Sequence, residues 1–150
     1  MRERRASRYE VLLNFATGRR INGKNMYIFT KYGFYSVVCG RQGDRSKFQP
    51  VDPDVLQVRA RVNAHLADLA ARFPNLLNRR AIKESTDTDY RFRLIVDKMV
   101  WSQVMAQLAT ETDYDSFKTA VGREAGVSGR AYLDALHEVW AVTCKLQGKH

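Results

Sequence analysis

A chain of 150 residues with 45% hydrophobic content is the size of one ordinary domain, and it can bury well over half of its unfolded surface without staples. Its two cysteines, Cys39 and Cys144, are too few for a disulfide framework and form no Cys-x-x-Cys pair, so reduced thiols in a cytoplasm are expected. No apolar run approaches the ~20 residues of a membrane span, and the stretch 11–16 is too short and interrupted for a secretory leader, so neither a membrane partner nor export is expected.

The net charge of +9 is unevenly placed: residues 1–25 hold seven basic and two acidic side chains, a net of +5, and the remaining residues carry +4. A segment that is basic and broken by Gly and Asn cannot order itself alone, so residues 1–25 read as a disordered basic extension. It is compatible with a solvated tail, with a stretch upstream of a start at Met26, and with a polyanion-binding arm. Residues 26–147 read as a single α+β domain.

From Met26 the chain turns rich in aromatic and β-branched residues. Residues 26–30 and 34–39 predict a β-hairpin or one bent strand, with Gly33 at the kink. A polar loop is expected over 40–54. Val55, Val58, Val62, Leu66, Leu69 and Phe73 fit one helical stripe, while residues 58–62 alternate like a strand; the β-branched valines and that alternation favour a strand near 55–60 and a helix over about 62–73 that Pro74 closes. Residues 81–85 predict a short strand and 86–89 its turn. Residues 90–96 form the return strand, with Tyr90, Phe92, Leu94 and Val96 on the core face and Arg91 and Arg93 on the other. Three helices follow: one over 98–111, one capped by Thr112 or Asp113, and one after the Gly-rich break at 122–129. In the last, Tyr132, Leu136, Val139, Trp140, Thr143 and Leu146 follow helical spacing. The order predicts an α+β fold, an antiparallel sheet packed against helices with a helical C-terminal third, and ferredoxin-like pairing is one arrangement it admits.

No phosphate loop, dinucleotide fingerprint, nucleophile elbow or zincin motif is present, and His65, His137 and His150 lack a second ligand at metal-binding spacing. Neither a cofactor nor a metal is expected. Three constellations are candidates for chemistry. Asp89, Asp113 and Asp115 are candidate catalytic carboxylates, able to act as acid and base if the fold joins them. Arg59, Arg61, Arg91 and Arg93 would form an anion patch if their strands are neighbours, with Tyr90, Tyr114 and Lys118 as further ligand-binding candidates; pairing with Glu84 or an Asp would instead neutralise them. The aromatics Tyr27, Phe29, Tyr32, Phe34 and Tyr35 crowd the hairpin beside Lys31, a composition that suits stacking on single-stranded nucleic acid, although strand alternation sends about half of them to the core.

The segments Met26–Val38, Val58–Arg61, Thr88–Tyr90, Asp113-Tyr114 with Phe117-Lys118, and Trp140 resemble, in order, a family of small, functionally uncharacterised bacterial proteins. Members of that family begin with Met-Trp and such a hairpin; here Tyr27 stands in place of the tryptophan, and the first 25 residues have no counterpart. The resemblance implies a bacterial cytoplasmic protein and an α+β fold, and it brings no activity or catalytic residue. The residues themselves favour a non-catalytic binding or interaction protein whose partner is a nucleic acid, another polyanion or a protein. The alternative is a small hydrolase or phosphoryl-handling enzyme that uses the Asp and Arg residues.

Overall fold

The computed structural model describes residues 25–124 and 129–148, so the expected basic extension lies, apart from Asn25, outside the described residues. The hairpin forms from β1 (Met26–Thr30) and β2 (Gly33–Arg41), joined through Lys31 and Tyr32. The Thr30 hydroxyl holds the turn by accepting the amides of Tyr32 and Gly33 at 3.1 and 3.2 Å. Gly33 has a φ of +156°, and a methyl group there would overlap the His65 ring, so both its backbone and its surroundings call for glycine.

β3 (Val51–Ala60) begins earlier than its composition predicts. Asp52, Pro53 and Asp54 look like turn formers, yet Asp52 pairs with Gly40 and Pro53 and Asp54 fall within the register shift at Cys39/Gly40, the kind of irregularity at which a strand tolerates proline. The chain continues through α1 (Asn63–Arg72), β4 (Lys83–Glu84), β5 (Phe92–Asp97) and α2 (Lys98–Thr110). It ends in α3 (Phe117–Glu124) and α4 (Gly129–Cys144).

The five strands lie in the order β1-β2-β3-β5-β4, and every neighbouring pair is antiparallel. β3 and β4 therefore run parallel with β5 between them, which makes β3-α1-β4 the split β-α-β unit of ferredoxin-like pairing. The strand on the far side of β3 is supplied here from the N-terminal side, by β2.

Alternation decides what each face of the sheet does. Tyr35 and Val37 of β2, Leu56, Val58 and Ala60 of β3, and Leu94 and Val96 of β5 are buried under Leu66, Leu69, Ala70 and Phe73 of α1 and Trp101 and Val104 of α2. Each fully buried apolar side chain contributes about 1.5–3 kcal/mol, so this one cluster fixes α1 and α2 to a single face. A smaller cluster of Val121, Tyr132 and Leu136, packed on Phe34 and Phe117, seats α3 and α4 by the hairpin turn, where the Tyr132 hydroxyl donates to the Thr30 carbonyl at 2.9 Å.

Three expectations are corrected. The chain bends before β5, which starts at Phe92, so Tyr90 leaves the core face and its ring lies over arginines of the opposite face. α3 starts at Phe117, leaving Thr112 and Asp113 in the connecting loop rather than at its cap. In α4 only the first half of the apolar stripe is covered: Tyr132 and Leu136 are buried, while Trp140 is 60% exposed, and Leu146, past the end of the helix, is 85% exposed. Among the described residues, no helix is long and apolar enough to cross a membrane.

Candidate functional site

The face of the sheet opposite α1 and α2 carries a row of paired residues that crosses all five strands. Tyr27 of β1 lies opposite Ser36 of β2, Ser36 opposite Arg59 of β3, Arg59 opposite Arg93 of β5, and Arg93 opposite Lys83 of β4. Adjacent strands are about 4.8 Å apart, so the row runs roughly 19 Å, with three cations together at one end and an aromatic ring at the other. Arg61, just past the end of β3, extends the charge along the strand direction.

Tyr90 organises the centre. The Arg59 and Arg61 guanidiniums lie 4.7 and 4.6 Å from its ring centroid, a cation–π geometry, and the Phe34 ring is 6.4 Å away. The bend that delivers Tyr90 is held by Arg93, whose Nη2 donates to the Thr88 hydroxyl at 2.6 Å and to the Tyr90 carbonyl at 3.3 Å. Arg59 Nη2 donates to the fully buried Ser36 hydroxyl at 2.7 Å, and Arg61 Nη1 to the Asp89 carbonyl at 2.9 Å. All these acceptors are neutral.

The electrostatic result is an uncompensated cluster. Among the described residues, Arg59, Arg61, Arg93 and Lys83 have no carboxylate within 4.0 Å. The Nε groups of Arg59 and Arg93 are buried without a hydrogen-bond partner there. Like charges directly opposite on neighbouring strands repel. Burial, opposed by Tyr90 and more weakly by Tyr27 and Asp89 and helped by a push from Arg93, lowers the Arg59 guanidinium from its ordinary value, although it stays charged. Tyr27 is lowered by hydrogen bonding from Asn25 and Tyr90, with Arg59 and Arg61 adding their positive field. Its ring is 57% exposed, and beside it Phe29 stacks on Phe34 at 4.6 Å.

The structure brings together Arg59, Arg61, Tyr90 and Arg93. Arg91 is held apart in an ion pair with Glu84 at 2.6 Å. Tyr114 packs by Phe117, 6.3 Å between centroids, and Lys118 lies over the Trp140 ring at 5.1 Å, neither with the arginines. Of the carboxylates, Asp89 sits beside Arg61, whereas Asp113 and Asp115 line a surface cavity of about 430 Å³ with Lys31 and Arg123. Asp89 does not line that cavity. Among the described residues, no group of three His, Cys, Asp or Glu side chains is placed to hold a metal ion.

Lys83 and Ser36 belong to the row but were not legible as site residues, because their membership depends on register across four strand pairs. A second depression of about 350 Å³, by His65 and Tyr132, is rich in charge but neutralised from within. There Arg72 pairs with Glu111, which also accepts from the Tyr32 hydroxyl at 2.8 Å, and Lys31 pairs with Glu124 at 3.5 Å. Compared with protein-family models, curated proteins and solved structures, the chain matches none of them.

Proposed function

We propose that the protein is a non-catalytic binding protein, working in a reducing cytoplasm, that takes a polyanionic partner on the face of its sheet opposite α1 and α2. One observation carries the reading: Arg59, Arg61, Arg93 and Lys83 converge on that face with only neutral acceptors, and two guanidinium Nε groups there remain buried and unpartnered. An arrangement of this kind is costly unless a ligand supplies negative charge, and phosphate groups match the donor fork of arginine. The free thiols of Cys39 and Cys144 are consistent with the compartment.

The enzyme reading draws less support, since general acid and base must reach one substrate and Asp89 is not part of the cavity that Asp113 and Asp115 line. The test is calorimetric titration with inorganic polyphosphate at several salt concentrations. Binding should weaken linearly in log–log form as salt rises, and the double variant Arg59→Gln/Arg93→Gln should lose most of it. A salt-independent affinity, or full affinity in the double variant with its fold intact by circular dichroism, would remove this face as the binding site.

A further inference from the structure

Resting on that reading, we infer that the polyanion is a single-stranded nucleic acid whose backbone crosses the strands over Lys83, Arg93 and Arg59 and whose base stacks on Tyr27. The order along the row is what separates this ligand from a bare polyanion. Charge occupies the β3-β5-β4 end and an exposed aromatic ring the β1 end, with the small Ser36 side chain between them.

A chain of phosphates alone has no use for Tyr27. A nucleotide does, because each base offers a π-face at a fixed offset from its phosphate, and aromatic side chains on an open sheet face are a general means of holding unpaired bases. Tyr27 leans on Phe34, with 5.7 Å between ring centroids, and is still 57% exposed, while Tyr35, from the same hairpin, is completely buried. Phe29, 38% exposed and stacked on Phe34, lies two residues along β1 on the same face and offers a second platform.

Duplexes fit poorly. Their bases are already paired and stacked on one another, so none is free to lie on the Tyr27 ring. The three cations span two strand intervals, about 10 Å, so the footprint is a few nucleotides, at the short end of single-strand sites.

The experiment compares three ligands of equal length on the full chain: a ten-nucleotide oligothymidylate, a ten-unit abasic deoxyribose-phosphate chain of the same charge, and the oligothymidylate paired with its complement, which carries a second phosphate backbone. Fluorescence anisotropy at several salt concentrations gives affinity and slope for the wild type and for Tyr27→Ala, Tyr27→Trp and Lys83→Gln. Oligothymidylate should bind most tightly. Tyr27→Ala should weaken it about 5- to 100-fold while leaving the abasic chain unaffected, and Tyr27→Trp should restore binding. Lys83→Gln should lower the magnitude of the salt slope by about 0.7 without changing the preference for bases.

Equal affinity for the thymidylate and abasic chains, or for single strand and duplex, would overturn the inference while leaving a polyanion site in place. The absence of binding to all three ligands and to polyphosphate would overturn both. Tyr27 and Lys83 are exposed, so these variants test contact with the ligand and not the integrity of the core.

Discussion

Replacing Gly33 by alanine tests the joint at which the hairpin, α1 and α4 meet. The new methyl group would overlap the His65 ring, whose Nδ1 accepts the Phe34 amide at 3.4 Å and whose centroid lies 4.9 Å from that of Tyr132. Two penalties add. Holding a residue with a Cβ at φ +156° costs about 1–3 kcal/mol. Forcing a methyl against a buried ring costs about 1–3 kcal/mol more. The total of about 2–6 kcal/mol corresponds to a loss of roughly 5–20 °C in Tm for a chain of this size. The assay is thermal unfolding by circular dichroism, run as a double-mutant cycle with His65→Gly, because the His65 Cβ overlaps the new methyl as well as the ring. Without that side chain only the backbone penalty should persist, so Gly33→Ala should cost about 1–3 kcal/mol less in the His65→Gly background. A Tm for Gly33→Ala within about 1 °C of wild type, or the same penalty in both backgrounds, would refute the contact as the reason for glycine here.

Tyr132→Phe removes the hydrogen bond to the Thr30 carbonyl and should cost about 0.5–1.5 kcal/mol, read as a Tm lower by roughly 1–6 °C in scanning calorimetry. Burial lowers the His65 imidazole from its ordinary value, against an opposing pull from Asp68, so the unfolded chain takes up this proton at higher pH than the folded one. The stability owed to neutral His65 is therefore complete above about pH 6.5 and declines as pH falls from there toward the folded value; His65→Gln should flatten that step in a pH series of melts. Asp113→Asn and Asp115→Asn, in a cavity apart from the arginines, should leave polyphosphate affinity and its salt slope unchanged in the titration described above.

Local pattern carried much of the fold. The alternation of Leu56, Val58 and Ala60 against Arg59 and Arg61, and of Leu94 and Val96 against Arg93, marks two half-buried strands before any contact is known, and both lie with their apolar sides on the core. The site was only half legible. Arg59, Arg61 and Arg93 could be placed on one face of their own strands, but their meeting depends on β3 pairing with β5, which α1 and β4 separate in sequence. Tyr90 was misassigned because a parity argument assumes that the strand continues; the bend at Thr88–Tyr90, held by the Arg93 side chain, breaks that parity and turns the ring to the other face. The start of β3 was hidden for a related reason, since Asp52-Pro53-Asp54 has turn chemistry and only the register shift opposite it explains how it joins the sheet. Trp140 has helical spacing with Leu136, but α4 outlasts the surface it packs on, and a hydrophobic period cannot report where its partner ends.

Why the guanidiniums stay unpaired follows from where the strands put the acids. Glu84 stands on the short edge strand β4, and its carboxylate meets Arg91, at the outer end of the return strand. Asp89 lies in the bend and turns its carbonyl, not its carboxylate, into the bond with Arg61. Arg59 and Arg93 sit on β3 and β5, the central and next strands, opposite each other and within reach of Ser36, Thr88 and the Tyr90 carbonyl, all of them neutral. Tyr90 then covers part of Arg59 and reduces its hydration, which strengthens the repulsion between the two guanidiniums relative to a fully solvated pair. Hydrogen bonds to neutral groups fix the direction of these side chains but leave their charge unbalanced. The unbound protein therefore holds a repulsion that an anion would relieve on arrival, so a ligand bringing negative charge to this face, at free concentration L, raises the stability of the fold by RT ln(1 + L/Kd), a gain that keeps growing with ligand concentration after the site is full.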